Sequence, residues 1–363
     1  MKELELRVFN FLRFPLILGV LFIHNYGNII LNSYEEISGL AYLSELLKVL
    51  ISQVLARLSV PIFFLMSGYL FFFNIDKFCF KSYKNKILSR IKSLVIPFVF
   101  WNLLVLLMYY IAQDIPQISS FFSGENKLIR NYKIYDFCDA IIGYSGYPIS
   151  YQFWFIRDLV IVSILTPILY LFIRKLEWKG IIILFIFWFL NSEKFYIPSF
   201  AAIFFFTLGS YFSIMNLDLL KTTNLIFILS VILYPLIAII DVFTKYSNFN
   251  IYIHNLGIIL GIIFIFNIIS YLIENRRVKE KVLLAEASFF IFAIHEPILT
   301  LLRKILLKVY KSHSDIFLLC VYIICPIIIV FGSVLIYCYL KKFFPVFLSF
   351  ITGKNLKKYI EKI

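Results

Sequence analysis

Apolar residues in this chain gather into long runs that recur from one end to the other, and that arrangement decides its fold class before any motif is considered. The runs cover 9–31, 46–73, 94–112, 153–173, 180–192, 198–215, 225–243, 251–273, 282–301 and 316–340, the fifth being short. A helix that crosses a bilayer needs about 20 predominantly apolar residues. The pattern therefore predicts an all-α polytopic membrane protein with about ten transmembrane helices. Composition agrees: 61% of residues are hydrophobic and 15% charged, against about 45–50% and about 25% in soluble domains. A soluble globular enzyme, a disordered chain and a nucleic-acid binder are excluded on this balance.

The net charge of +14 has to be mapped onto the loops before it is interpreted, because cytoplasmic loops of membrane proteins concentrate Lys and Arg. Most of the basic residues fall in the loops that share a side with both termini: Lys2, Arg7 and Arg13, the cluster from Lys77 to Lys92, Arg174 to Lys179, Arg276 to Lys281 and the segment after Lys341. Both termini are expected to be cytoplasmic and the protein to lie in the plasma (inner) membrane. The opening MKELELRVFN places acids ahead of the first apolar run, so no removable signal peptide is expected. The connection 113–152 faces outward on this map and is too short for a domain of its own. Residues 1–363 are therefore expected to form one membrane domain with no fused soluble domain. Five cysteines without a CxxC pair suggest neither a disulfide framework nor a metal site.

Ionisable groups are costly in hydrocarbon and tend to face a bundle interior or a functional path. Arg13 and His24 are eleven residues apart in the first run, three helical turns plus about 20°, so both leave one helix face about 16 Å apart along the axis. Arginine suits a phosphate-bearing ligand, and a buried imidazole can accept a proton from a hydroxyl. The alternative is a snorkelling anchor and a hydrogen-bonded packing residue. In the ninth run, SFFIFAIHEPIL carries His295 and Glu296 before Pro297, either as functional groups or as a polar patch that repairs a kink. Arg157 and Asp158 in QFWFIRDLV either compensate one another or hold a polar substrate. Arg57 precedes Ser67, Gly68 and Tyr69 in the same run, and those three form a small-residue notch of the kind helix packing also uses.

Taken in order, Arg13 and His24, VPIFFLMSGYLFF at 60–72, RIKSLVIPF at 90–98, FWFIRDL at 153–159 and SFFIFAIHEPIL at 288–299 resemble the acyltransferase 3 family of integral membrane acyltransferases. The resemblance extends over most of the chain. It implies a ten-helix enzyme that takes an acyl group, usually acetyl, from cytoplasmic acyl-CoA and passes it to a hydroxyl of an envelope glycan or its lipid-linked precursor. It implies catalytic roles for Arg13 and His24, and donor contacts at Arg90, Lys86 and Lys92. Substrate contacts are expected at Arg57, Ser67, Tyr69, Arg157, Asp158, His295 and Glu296. No cofactor is bound permanently on this reading, and acetyl-CoA is a co-substrate. The partners are the glycan acceptor, membrane lipid and, since many relatives carry an additional esterase-like domain, a separate acyl-accepting protein.

A transporter or flippase of a lipid-linked sugar would also place Arg, His and carboxylates inside a bundle, although paired broken helices are not evident. The membrane-bound O-acyltransferases, with a His in an apolar helix, are a second alternative, for which His254 and Asn255 are the other candidates.

Overall fold

The computed structural model describes residues 2–26, 37, 39–75, 77–116, 127–191, 196–310 and 314–354. The outer end of the first predicted run (27–31), the stretch 117–126 of the long connection and the tail beyond 354 lie outside the described residues. Within them the regular structure is helical, with no strand.

The helices are α1 (Lys2–Asn25), α2 (Gly39–Phe72), α3 (Phe80–Gln113), α4 (Ile134–Ile142), α5 (Trp154–Ile164), α6 (Thr166–Asn191), α7 (Phe200–Ile214), α8 (Leu219–Asn224), α9 (Phe227–Phe243), α10 (Asn250–Glu274), α11 (Val282–Val309), α12 (Asp315–Phe343) and α13 (Pro345–Thr352). Nine of the ten predicted runs fall, as far as they are described, on a single helix each, and the fourth (153–173) is divided between α5 and α6. Six helices, α1, α2, α3, α10, α11 and α12, are long and apolar enough to cross a membrane. A seventh span forms if Tyr151–Ile164 and Thr166–Asn191 are counted as one broken crossing. The protein is therefore a multi-pass membrane protein, with six or seven spans among the described residues by length and apolarity, which does not confirm the count of ten. The difference comes from short helices: α7 and α9 have 15 and 17 residues, less than the roughly 20 a helix needs to cross. In addition, the fourth and fifth runs share α6.

The chain divides into two compact units, one of Met1–Asp76 with Thr166–Leu335 and one of Lys77–Leu165 with Ile336–Ile363. In the first, α2 and α7 cross at the closest possible approach. A Cβ on Gly68 would lie 1.9 Å from the Phe206 carbonyl oxygen, and one on Gly209 would lie 1.9 Å from that of Leu65. Small residues let membrane helices pack where no hydrophobic driving force separates protein from lipid. Ser210 adds a hydroxyl donated to the Gly68 carbonyl at 3.3 Å. On the other side of α7, Trp188 of α6 stacks on Phe204 at 5.3 Å and meets Phe205 edge-on at 4.9 Å.

Three helices of this unit depart from regular geometry, each at a polar residue or beside one. Val49–Leu55 of α2 is π-helical and runs into a 3₁₀ turn at Ala56–Leu58 that carries Arg57. Helix α6 breaks at Glu177, whose φ of 50° and ψ of −133° are non-helical, amid the basic residues of the loop predicted there. Helix α11 breaks at Glu296, with φ −108° and ψ 137°, because Pro297 supplies no N–H and crowds the preceding turn.

The second unit packs α13 on α3. Trp101 Nε1 donates to the Ile351 carbonyl at 2.9 Å, and Phe100 meets Phe347 and Phe350 edge-on. Asn102, fully buried, accepts from the Ser150 N–H at 3.2 Å and donates to the Phe98 carbonyl at 2.8 Å.

Candidate active site

His24 closes the last turn of α1 and is half-buried. Its ring centroid lies 5.2 Å from that of His295 on α11, with the rings tilted by 43°. The charge of Arg57 on α2 also acts on this imidazole, so three separate helices bring a basic group to one place. Arg57 is held by its own helix: Nε and Nη2 donate to Gln53 Oε1 at 3.2 and 2.7 Å. Gln53 lies one turn back in the π-helical segment, whose widened turn sets the register between the two side chains.

Around the histidines lies a layer of polar groups. Asn25 donates to the Tyr322 carbonyl at 2.7 Å, while its own Oδ1 is buried with no partner among the described residues. The Tyr322 hydroxyl is 2.7 Å from Ser52 Oγ, which reaches the Phe22 carbonyl at 2.6 Å. Arg303 donates to the Asn25 carbonyl at 3.4 Å. His295 is fully enclosed, and Glu296 is buried with Oε1 accepting from Thr300 at 3.0 Å. The break in α11 thus turns consecutive polar side chains inward, and the Glu296 carboxylate reaches Thr300 of the following turn.

Arg13 lies three turns before His24 on α1, half-buried, with no hydrogen bond or ion pair among the described residues. A guanidinium on an apolar helix has the geometry to pair with an anionic group.

The remaining sequence-derived residues are engaged elsewhere. Ser67 is buried at the α2–α7 crossing formed by Gly68 and Gly209. The Tyr69 hydroxyl donates to Glu5 Oε2, and Glu5 Oε1 accepts from the Leu219 N–H at 2.8 Å. That pairing at the opposite end of α1 lies about 28 Å from His24 at 1.5 Å per residue. In the second unit, Arg157 donates to Asp158 at 3.1 Å, to the Gly146 carbonyl at 2.8 Å and to the Gly143 carbonyl. The pair is 4% and 0% exposed and clamps the turn after α4. Lys86 and Arg90, at i and i+4, share one face of α3, with Lys92 exposed beyond them.

Several buried polar residues escaped sequence reasoning. Glu5 sits in a short acidic flank that looks solvated. Glu45 is 4% exposed and accepts from Tyr26 at 2.5 Å and Tyr246 at 3.4 Å. Asp241 is 1% exposed, 2.7 Å from His254 Nδ1 and 2.8 Å from Asn250 Nδ2. Each is an acid near the end of an apolar run. That position would have flagged it only if run ends were treated as interior. Among the described residues no group of three or more His, Cys, Asp or Glu side chains is arranged to hold a metal.

Residues 7–351 match a family model described as an acyltransferase domain. No curated protein and no solved structure matches the chain.

Proposed function

This chain belongs to the acyltransferase 3 family, and from that premise we propose that it moves an acetyl group from cytoplasmic acetyl-CoA to a hydroxyl of an envelope polysaccharide or its lipid-linked precursor. The observation that carries the reading is α1 itself. One face presents an Arg13 that has no ion pair among the described residues and, three turns on, a His24 that meets His295 and lies under the charge of Arg57.

In this reading Arg13 engages a phosphate of the donor; in the second unit, taken by itself, Lys86, Arg90 and Lys92 offer a basic face to which polyphosphate can bind. The thioester reaches towards His24 from the Arg13 side, while the acceptor hydroxyl arrives from the other. His24 takes the hydroxyl proton as the oxygen attacks the thioester carbon, a role worth about 10²–10⁴ in rate. Arg57 stabilises the oxyanion that develops on the carbonyl, a fixed charge in a low-dielectric site. The C–S bond then breaks, the proton held by the base returns to the CoA thiolate, and CoA leaves towards the cytoplasm. The donor is a co-substrate, so nothing in this scheme calls for a resident cofactor.

Membranes containing the protein, supplied with labelled acetyl-CoA and envelope glycan, provide the test. Label is expected in ester linkage on the glycan, released by mild base. If acetyl-CoA is not consumed and lipid-linked sugar only changes membrane side, the reading is wrong and the chain transports its substrate.

A further inference from the structure

His295 has no surface exposed to solvent, and its two ring nitrogens stand in opposite situations. Nδ1 lies 2.6 Å from the carbonyl oxygen of Phe292, one turn back on α11. A carbonyl only accepts, so Nδ1 carries the proton, and Nε2 of the neutral ring is left as a bare lone pair. That Nε2 is buried with no hydrogen-bond partner among the described residues. Buried polar atoms are nearly always paired, and an exception calls for a functional partner.

The ring beside it is His24, with centroids 5.2 Å apart and planes tilted by 43°; the two are not hydrogen-bonded in this geometry, and a turn of the His24 ring brings one of its nitrogens to Nε2. His24 also lies in the field of Arg57. His295 stands beside it as a neutral acceptor whose tautomer is already fixed by Phe292.

We propose that His295 is the proton-receiving partner of His24, so that the pair, and not His24 alone, is the base of acyl transfer. This rests on the acyl-CoA reading above. The acceptor O–H bond breaks towards one nitrogen of His24 while the other nitrogen releases its proton to Nε2 of His295. The hydroxyl oxygen bonds to the acyl carbon, the C–S bond to CoA breaks, and the same proton path run backwards returns a proton to the departing thiolate. While the charge resides on His295, the Phe292 carbonyl accepts from its Nδ1–H and steadies it. His295 works through His24 and is a positioning and proton-relay residue. Its neutral form cannot donate to an oxyanion, which leaves that role to Arg57.

The test compares wild type, His295→Gln and His295→Ala in transfer of labelled acetyl from acetyl-CoA, with kcat and KM determined separately. Gln preserves bulk and a hydrogen-bond acceptor but cannot take up a proton. Its kcat is expected to fall about 10²-fold with the KM for acetyl-CoA within about twofold of wild type. Added imidazole is expected to restore a measurable part of the His295→Ala rate and none of the His24→Ala rate. An unchanged kcat for His295→Gln, or a His295→Ala loss that imidazole does not restore, overturns the proposal. If wild type itself transfers no label, the acyl-CoA reading has failed; if wild type transfers and His295→Gln keeps pace, only the relay has failed.

Discussion

The two ends of α1 carry buried polar groups of similar cost and opposite completeness. At the Glu5 end every group has its partner: one carboxylate oxygen takes the Tyr69 hydroxyl and the other the Leu219 N–H, with Arg7 paired to Glu280 at 2.9 Å nearby. At the His24 end, among the described residues, Nε2 of His295 and Oδ1 of Asn25 are buried without partners and Arg13 on the way there has no counter-ion. Paired groups fix a helix in place, whereas unpaired ones are kept only where something else completes them. The first end is an anchor, and the second is where we propose the site.

That contrast can be broken by mutation. The largest structural effect belongs to the crossing behind Tyr69. Gly68→Ala and Gly209→Ala each push a methyl group to 1.9 Å from a backbone carbonyl, where no side chain can yield, so α2 and α7 must separate. Loss of folded protein on size-exclusion chromatography in detergent is the expected outcome; normal yield would contradict this packing. Next comes the anchor. Glu5→Ala leaves two buried donors unsatisfied, each costing about 1–3 kcal/mol, and a lower thermal midpoint is expected. Tyr69→Phe, which removes one hydroxyl, should lower it less. In both, the kcat of the protein that remains folded should stay near wild type. A selective collapse of kcat with an unchanged midpoint would make the Glu5 end part of the site.

The smallest effect is a pH dependence in the connection after α3. The Lys127 ammonium, at 2.6 Å, and the Lys133 N–H hold the Asp136 carboxyl below its ordinary value. A depressed carboxylate contributes stability above its unfolded value near 3.9, and that contribution is lost as pH falls through the folded value. Amide protection in the first turn of α4 should therefore fade only in strong acid. Asp136→Asn should remove that acid-dependent step, and a step that persists in the variant would assign it to another group.

How much was legible in the sequence follows the range of each interaction. Apolar runs are local, so every predicted run landed on helical structure. Arg13 and His24 share a helix, so their common face follows from 100° per residue. The number of spans is not confirmed by helix length, because α7 and α9 are short and α6 carries parts of two runs across one break. The break at Glu177 was not legible, because it has no proline to announce it, whereas Pro297 does announce the one at Glu296. The meeting of His24 with His295 depends on α1 packing against α11, which no local pattern encodes. The roles of Glu5 and Asp241 were hidden because an acid at the end of an apolar run looks solvated until its partners from other helices are known.

The central claim is that His24 does chemistry and does not merely pack. Its most direct test is the rate of acetyl transfer from labelled acetyl-CoA by His24→Ala, measured beside the thermal midpoint of the same preparation. The account predicts a rate lower by about 10²–10⁴-fold with the midpoint unchanged, since the imidazole is half-buried and its removal leaves the α1 anchor at Glu5 intact. Full transfer by His24→Ala would contradict it.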